Sequence, residues 1–450
     1  MLKTVVVGAG PIGLFCAIIR ARAGDEVIVV DRDAGPDQDG SWDRRGVMQF
    51  RHPHFFRPTV RQVFEATAPD LWAAVVAAGG IPATPPGAPT FITGLQSRRS
   101  TFEQAIRAVA AAEPGVTLRT GHADSLDISG SGVTGVVVDG GRVDADVVID
   151  ATGRSGRLGD DLRPAGEGGP CGFSYVSRMY RVIDDDAAAQ LAGSGVPLGK
   201  LYDGYLVIVF PQDARTLSAL IVRASDDDDL AQLRHTAAYD AAVATIPHLA
   251  EWTEPGRFEP CTEVMPGGGL TNTYRGQATA VRGLYFVGDS VSTTNPAAGR
   301  GVSLGLLQAQ ALLGMLAEDR LDPAAQFDAW CEQNIKPWYE DHVHWDATLL
   351  RRWRGDDIDL DARIPSDVIC AAGEVDPSLG SMIMPYLAML ALPAALQPAQ
   401  ERVREILRTG WRPRVAEEPT RDDLAEVVRH AVSGAPTRPA ALPAAAGSPP

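Results

Sequence analysis

The sequence predicts an α/β protein in which a Rossmann-like parallel sheet carries an inserted antiparallel sheet and is followed by a helical C-terminal region. Three observations favour this class. An apolar strand runs into a glycine-rich turn and a helix near the N-terminus, a second such unit begins at Tyr285, and segments rich in β-formers lie between them. The 450 residues are enough for roughly three domains, each with a core of its own.

The first glycine-rich unit is TVVVGAGPIGLFCAIIRARAGDEVIVVDRD, residues 4–33. Gly8 permits a tight bend, Gly10 lets a phosphate approach the backbone, and Gly13 lets the helix pack on the strand. Asp31 ends the second strand at the spacing where an acid bonds a ribose hydroxyl. The unit therefore predicts a dinucleotide at the helix N-terminus. Its other predicted contacts are Pro11, Ile12 and Arg32.

The second unit is GLYFVGDSVSTTNPAAGRGVSLG, residues 283–305. Its strand ends at Gly288 and Asp289, whose carboxylate can bond a second sugar-like hydroxyl. The following turn leads into a helix predicted from about residue 302 to 317, with a positive N-terminus. Such a terminus suits a reduced flavin ring, so one cofactor spanning both units, FAD, is predicted. The contacts predicted here are Gly288, Asp289, Pro296, Gly299, Gly301 and Val302.

Four motifs stand in the order GAGPIG, RRSTFEQAI, DADVVIDATGRSGRL and VGDSVSTTNPAAGRG. Together they resemble the FAD-binding signature of the para-hydroxybenzoate hydroxylase-like flavoprotein monooxygenases, a superfamily that also includes flavin-dependent halogenases, squalene-type epoxidases and geranylgeranyl reductases. The resemblance covers roughly the first 320 residues. It implies an FAD domain of the glutathione reductase and para-hydroxybenzoate hydroxylase type. It also implies that Arg45 and Arg99 lie against the phosphates or the ribityl chain, with surface ion pairs as the alternative.

Two departures from the superfamily pattern bear on the chemistry. Thr152 and Gly153, expected beside the FAD, stand where many hydroxylases have an Asp-Gly pair that helps to place the nicotinamide donor. The electron source is therefore open between NAD(P)H and a partner flavin reductase. The sequence also lacks the W-x-W-x-I-P segment of halogenases, which disfavours halogenation.

The predicted FAD-binding domain is discontinuous and comprises residues 1–76, 95–168 and 275–320. Residues 77–94 and 169–274 are predicted to form a substrate-binding β-sheet domain, because 173–183, 204–211 and 216–224 are rich in β-formers. Residues 321–416 form the helical region. Residues 417–450, which end in a Pro/Ala-rich run, are predicted to be mostly disordered.

The resemblance implies that O2 reacts with reduced FAD and that a flavin C4a-hydroperoxide transfers one oxygen atom to an apolar or aromatic small molecule, by hydroxylation or epoxidation. His52 and His54 are predicted as a base or hydroperoxide partner, with structural roles as the alternative. Tyr205 faces the substrate or packs in the core, and Arg300 holds an anionic substrate group or seals the site. Two other functions stay open, an FAD-dependent dehydrogenase or reductase without oxygen transfer, and a non-catalytic flavin-binding module.

Composition excludes several other classes. A net charge of −16 repels polyanions, so no nucleic-acid partner is expected. The five cysteines are scattered without a CxxC pair, so no metal site is expected. The first strand begins too close to Met1 for a signal peptide, and no apolar run reaches the ~20 residues of a transmembrane helix. We therefore expect a cytoplasmic protein without a transmembrane segment.

Overall fold

The computed structural model describes residues 1–44, 46–83, 94–194, 197–318 and 323–434. The strands are β1 Lys3–Val7, β2 Glu26–Asp31, β3 Phe55–Phe56, β4 Ile81–Ala83, β5 Gly94–Gln96, β6 Val116–Thr120, β7 Ala123–Ser129, β8 Gly132–Val138, β9 Gly141–Asp144, β10 Val147–Asp150, β11 Glu167–Pro170, β12 Phe173–Val182, β13 Leu198–Tyr202, β14 Tyr205–Gln212, β15 Thr216–Ala224, β16 Phe258–Pro260, β17 Met265–Gly267, β18 Thr271–Tyr274, β19 Leu284–Phe286 and β20 Ser292–Thr293. The helices are α1 Pro11–Arg22, α2 Pro58–Thr67, α3 Pro69–Ala77, α4 Arg99–Ala112, α5 Asp185–Ser194, α6 Thr236–Thr245, α7 Pro247–Ala250, α8 Gly301–Glu318, α9 Ala324–Asn334, α10 Lys336–Trp353, α11 Ser366–Ala372, α12 Gly380–Leu387, α13 Gln400–Arg408 and α14 Arg421–Ser433.

A parallel sheet in the order β19-β10-β1-β2-β6 forms the centre of the molecule. Its central strand β1 is buried from residue 4 to residue 7 because helices cover both faces of the sheet. In a parallel sheet all strands end at the same edge. Gly8, Asp31, Asp150 and Gly288 therefore lie along one carboxyl edge, where ligands bind to open α/β sheets.

An antiparallel sheet in the order β13-β14-β15-β12-β16 covers this edge. The three runs rich in β-formers correspond to β12, β14 and β15, whose register pairs Tyr175 with Val222 and Leu220 with Ile208. One face of the sheet packs on α6 and α14, and the other face turns Tyr175, Phe210 and Leu220 towards the parallel sheet. The predicted fold class, a Rossmann-like domain with an inserted antiparallel sheet and C-terminal helices, is confirmed.

The C-terminal segment differs from its prediction. Residues 421–433 form α14, which starts with a capping box between Thr420 and Asp423 and packs Leu424, Ala425 and Val428 into the core of the antiparallel sheet. Disorder from residue 417 onward is therefore wrong for this helix, because its apolar residues at helical spacing bury a stripe against α6. The predicted tail at 435–450 and the linker at 84–93 lie outside the described residues.

Helix α14 offers a direct test of this packing. Leu424 is fully buried, so Leu424→Ala removes buried methyl groups and leaves a cavity. We expect its free energy of unfolding in urea to fall by about 2–5 kcal/mol. Val432 on the same helix is half-exposed, and Val432→Ala is expected to change it by less than about 0.5 kcal/mol. Equal effects of the two variants would show that α14 does not dock.

One helix of the described chain, Gly301–Glu318, is long and apolar enough to cross a membrane by length and composition. Half of it is buried inside the protein, as is usual for the core helix of a globular domain.

Candidate functional site

A cavity of about 520 Å³ opens at the carboxyl edge of the parallel sheet, beneath the antiparallel sheet. Its size is within the range of small-molecule and cofactor sites, about 300–1,000 Å³. Both glycine-rich units meet here. The predicted cofactor contacts that line the cavity are Gly8, Gly10, Pro11, Ile12, Gly13, Asp31, Arg99, Thr152, Gly153, Gly288, Asp289, Pro296, Gly299, Gly301 and Val302.

The three glycines of the first turn have different roles. Gly8 has a φ of 108°, and a Cβ atom there would lie 2.4 Å from the carbonyl oxygen of Ala151. A Cβ atom on Gly13 would lie 1.9 Å from the carbonyl oxygen of Gly8. On Gly10 it would meet nothing closer than the Arg44 Nη1 atom at 4.0 Å. The fold therefore needs Gly8 and Gly13, whereas Gly10 keeps the cavity side of the turn open to a ligand.

Asp31 and Arg44 line the cavity beside the first glycine turn. The Asp31 carboxylate accepts hydrogen bonds from the backbone N–H of Ala9 at 2.6 Å and of Asp33 at 2.8 Å. Arg44 Nη2 donates to the same carboxylate at 2.8 Å, and Arg44 Nη1 donates to Glu103 at 2.6 Å. A carboxylate has about four acceptor positions, so Asp31 can accept one more hydrogen bond from a ligand in the cavity.

The cofactor contacts predicted in this region also include Arg45 and Arg32. Arg45 lies outside the described residues, and its neighbour Arg44 lines the cavity. The predicted cofactor contact of Arg32 is wrong, because its side chain is exposed, lies against Gly46 and does not line the cavity.

Arg99 begins α4 and bonds the buried Glu103 one turn further on. Glu103 therefore joins Arg99 to Arg44, and both guanidinium groups line the cavity with their charges partly balanced. Some polar atoms nearby have no hydrogen-bond partner in the described chain, namely Arg44 Nε, Thr294 Oγ1 and Ser303 Oγ. Unpartnered buried groups are costly unless a ligand satisfies them. This donor set fits a cofactor that carries phosphates and hydroxyls.

The second glycine turn faces the first across the cavity. Gly288 and Gly299 adopt positive φ values of 75° and 63°, which glycine tolerates best. The turn places the N-terminus of α8, at Gly301, on the cavity wall, and its free N–H groups favour negative charge there. The Asp289 side chain is open to the cavity. Desolvation by the protein around the cavity raises the pKa of its carboxyl, and the charges of Arg99 and Arg154 oppose this shift.

A buried hydrogen-bond network holds the second glycine turn in place. No sequence motif indicates this network. Asp346, on α10, accepts hydrogen bonds from Asn272 Nδ2 at 2.8 Å and Asn295 Nδ2 at 3.1 Å. The Asn272 side-chain oxygen accepts from the Asn295 N–H at 2.7 Å, and the Asn295 oxygen accepts from the Ala297 N–H at 3.1 Å. Burial raises the pKa of Asp346 to about 7, while the two asparagines oppose the shift. One carboxylate on a C-terminal helix therefore fixes the turn that leads to α8.

Arg300 differs from one of its two predicted roles. Its guanidinium donates to Asp341 at 3.2 Å, to His342 Nδ1 at 3.2 Å and to the hydroxyl of Tyr386, and it stacks over Trp338. It is 3% exposed. With its charge matched by Asp341, Arg300 does not hold a substrate anion. It joins the second glycine turn to the C-terminal helices and so closes the cavity on that side.

The two predicted histidines line the cavity but differ in their contacts. His54 Nδ1 bonds the carbonyl oxygen of His52 at 2.9 Å, and His54 Nε2 lies 3.4 Å from Arg99 Nη1, so both of its nitrogens are engaged. His52 Nδ1 bonds Ser177 Oγ at 2.9 Å, and its Nε2 has no partner among the described residues. Burial lowers the pKa of His52 to about 4 and, together with Arg99, that of His54 to about 3. Both rings are therefore neutral at pH 7.

The neutral state of His52 predicts a pH effect on stability. Its pKa of about 4 in the folded protein lies below the ordinary value of about 6.5, so the unfolded chain binds more protons between these two pH values. We expect His52 to reduce stability as the pH falls from about 6.5 to 4, and to have no such effect above pH 7. In urea denaturation, His52→Gln should lose less stability than the wild type over this window. Equal pH slopes would contradict a buried neutral ring, and His248→Gln, outside the cavity, is the control.

Of the two alternatives for Tyr205, the structure shows core packing and not a position facing the substrate. It is fully buried on the face of the antiparallel sheet that packs on α6 and α14, and its hydroxyl donates to the carbonyl oxygen of Pro419 at 2.7 Å. Because both faces of this sheet are apolar, the alternation of the sequence does not reveal which face meets the cavity. The other face provides the cavity wall, with Tyr175, Phe210 and Leu220 opposite His52.

The described residues contain no group of three or more His, Cys, Asp or Glu side chains that could hold a metal ion.

The fold and the cavity together agree with the architecture that the sequence motifs predict. A Rossmann glycine turn, a second glycine turn at the carboxyl edge and an antiparallel sheet above them are arranged as in the fold of the para-hydroxybenzoate hydroxylase-like proteins. The resemblance of the four sequence motifs to this superfamily is supported by the fold.

Solved structures with this fold include the flavin-dependent brominase Bmp2, 15% identical with a TM-score of 0.61, where the match covers 91% of this chain and 98% of that one. PqsL from Pseudomonas aeruginosa, described as a probable FAD-dependent monooxygenase, is 14% identical with a TM-score of 0.59, covering 79% and 97%. The flavin-dependent halogenase CmlS is 17% identical with a TM-score of 0.61, covering 96% and 77%. No protein-family model matches the sequence, and no curated protein matches it either.

Proposed function

We propose that the protein is an FAD-dependent monooxygenase that transfers one oxygen atom from O2 to an apolar or aromatic small molecule. The observation that carries the proposal is that both glycine turns and an apolar, aromatic wall line the same cavity. Bound and reduced FAD supplies the activation of O2, while the protein binds, orients and shields the reactants. The solved structures of the same fold include proteins described as a monooxygenase and as halogenases, which supports flavin chemistry of this kind.

The residues at the two turns have separate tasks in this proposal. The N–H groups at the start of α1, beside Gly10, take the FAD phosphates, and Asp31 accepts a ribose hydroxyl. Asp289 accepts a hydroxyl of the ribityl chain or lies beside the phosphates. The N-terminus of α8, at Gly301, stabilises the negative charge of the reduced ring.

His52 is the residue we assign to the substrate. It is neutral at pH 7, its Nδ1 is fixed by Ser177, and its Nε2 is free to accept a proton or a hydrogen bond from a hydroxyl of the substrate. His54 has no free nitrogen and serves to hold Arg99. The antiparallel sheet above the cavity excludes water from the reacting atoms.

A second candidate is an FAD-dependent dehydrogenase or reductase without oxygen transfer. It is permitted by Thr152, whose hydroxyl and N–H both donate to the buried Asp150 carboxylate, at 2.5 and 2.9 Å. The residue that stands in place of the hydroxylase Asp is thus used within the fold. A reductase would receive its electrons from NAD(P)H or from a partner flavin reductase, whereas a dehydrogenase would take them from its substrate and pass them to an electron acceptor.

The test begins with the purified protein and its flavin absorbance. Anaerobic mixing with NADH or NADPH shows whether either donor reduces the flavin directly. The reduced protein is then given 18O2 and a set of phenols and alkenes. Incorporation of one 18O atom into a product supports the monooxygenase, whereas substrate oxidation without 18O supports the dehydrogenase and substrate reduction without 18O supports the reductase. Absence of bound flavin would contradict both.

His52→Gln tests the assignment of the proton acceptor. We expect substrate-dependent oxygen uptake at pH 7 to fall about 100-fold, because general base catalysis contributes roughly 10²–10⁴-fold. The Kd for FAD should stay within about two-fold of the wild type, since neither nitrogen of His52 is placed on the cofactor. His248→Gln is the matched control. An unchanged rate in His52→Gln would mean that His52 has a structural role and is not the proton acceptor.

A further inference from the structure

Arg57, between β3 and α2, holds the second glycine turn from behind the cavity wall. Its Nε donates to the carbonyl oxygen of Ala298 at 3.2 Å, and its Nη2 donates to the same oxygen. Its Nη1 donates to the carbonyl oxygen of Leu387 at 2.5 Å. In the described part of the chain no carboxylate pairs with this half-buried side chain. Burial and the charge of Arg300 lower the pKa of Arg57 to about 10, so it is charged at pH 7.

The carboxylate that lies nearest in this network, Asp341, serves two other arginines. It accepts from Arg300 at 3.2 Å and from Arg363 at 3.0 Å. Two hydroxyl groups, those of Ser366 at 3.1 Å and Tyr386 at 2.7 Å, donate to it as well. Asp341 is therefore fully engaged and does not balance a third guanidinium group.

Two further carboxylates of this region do not remove the imbalance. Asp367 has a partner of its own in Arg352. Asp346 lies within electrostatic reach of Arg300, and burial raises the pKa of Asp346 to about 7, so it carries at most one negative charge. Behind the second glycine turn, three guanidinium groups thus face two carboxylates, and at least one positive charge is in excess.

The carbonyl oxygen that Arg57 holds belongs to the turn itself. Ala298 stands between Ala297 and Gly299, which both line the cavity, and three residues before Gly301, where α8 begins. In the proposed function this is the place where the negative charge of the reduced flavin ring is stabilised. A charge that acts through protein is screened by an effective dielectric constant of about 20, well below that of water. Charges held near the ring change the electronic properties of a flavin.

We propose that Arg57 stabilises the reduced form of bound FAD, and not the oxidised form, through the excess positive charge that it places behind the second glycine turn. The inference rests on the proposed function, because it needs the flavin ring at this turn. The ring of oxidised FAD is neutral, and uptake of two electrons and one proton makes it an anion. A fixed positive charge therefore favours one of the two forms, whereas a part that only holds the turn in shape would favour both equally.

The experiment compares the affinities of the protein for oxidised and reduced FAD. The Kd for oxidised FAD comes from titration of the apoprotein. The Kd for reduced FAD follows from the midpoint potentials of bound and free FAD, measured anaerobically with dithionite as the reductant and a reference dye. In Arg57→Gln we expect the Kd for reduced FAD to rise about ten-fold, as for one unit charge removed near an anion. The Kd for oxidised FAD should stay within about two-fold of the wild type.

Two further variants separate charge from shape. Arg57→Lys keeps the charge, so both Kd values should stay close to those of the wild type. Arg61→Gln is the matched control, because Arg61 lies on α2, pairs with Glu65 and is 37% exposed. It should leave both values unchanged.

The outcomes distinguish this inference from the proposed function. A Kd for reduced FAD that is the same in Arg57→Gln and wild type would overturn the inference. So would an equal rise of both Kd values in Arg57→Gln or in Arg57→Lys, since it would show that Arg57 only holds the turn in shape. A protein with the expected difference between the two forms of FAD that never incorporates oxygen contradicts the monooxygenase alone.

Discussion

Gly10→Ala is expected to raise the Kd for FAD at least about 100-fold while leaving the apoprotein as stable as the wild type or up to about 1 kcal/mol more stable. The backbone at Gly10 is extended, with φ −76° and ψ 175°, so alanine fits there without strain. The new methyl group meets no protein atom within 4 Å other than the edge of Arg44. It instead occupies the space through which a phosphate approaches the N-terminus of α1. Fluorescence titration of the apoprotein with FAD and urea denaturation of the same sample measure the two quantities.

Gly13→Ala is the matched comparison. Its methyl group would lie 1.9 Å from the carbonyl oxygen of Gly8, so the substitution disturbs the fold itself. The free energy of unfolding of the apoprotein should therefore fall by more than about 2 kcal/mol. If Gly10→Ala also destabilised the apoprotein, or bound FAD like the wild type, the first turn would not be a phosphate site.

Asp346→Asn is expected to have the second largest effect. An asparagine offers one oxygen and one NH2 group where Asp346 offers two acceptors to Asn272 and Asn295. Those two cannot turn over, because their own oxygens accept from the N–H groups of Asn295 and Ala297. A buried amide is therefore left unpaired, which costs about 1–3 kcal/mol. We expect this loss in the free energy of unfolding and a rise of about ten-fold in the Kd for FAD, because the turn that leads to α8 is loosened.

Glu340→Gln makes the same chemical change at an exposed position of α10 and should alter neither quantity. If Asp346→Asn lost stability but kept the FAD affinity of the wild type, the network would support the helices without positioning the turn.

The features that the sequence predicts well are local ones. The apolar run at 5–7, the spacing of Gly8, Gly10 and Gly13, and an acid at Asp31 define a strand, a turn and a helix within thirty or so residues. The three runs of the antiparallel sheet are equally local, since β-formers continue over the whole of each strand. In these stretches propensity, periodicity and turn chemistry all favour the same structure.

The features that escaped prediction depend on contacts between distant residues. The roles of Arg300 and Tyr205 are set by Asp341 and Pro419, which neither spacing nor composition connects to them. Asp346 lies 51 residues beyond Asn295, where the turn that it holds begins. Helix α14 is a different case, because Leu424, Ala425 and Val428 have helical spacing in the sequence, and the Pro/Ala-rich run that follows them obscured it.

The most direct test of the central claim, that one FAD molecule spans both glycine turns, is a comparison of affinities. The apoprotein is titrated with FAD, FMN and ADP under the same conditions. Because FAD would engage both turns through one linked molecule, we expect it to bind at least about 100-fold more tightly than either FMN or ADP. Binding of ADP as tight as that of FAD would mean that the second turn contributes nothing. Binding of FMN as tight as that of FAD would remove the first turn from the site, and either result would contradict a shared cavity for one cofactor.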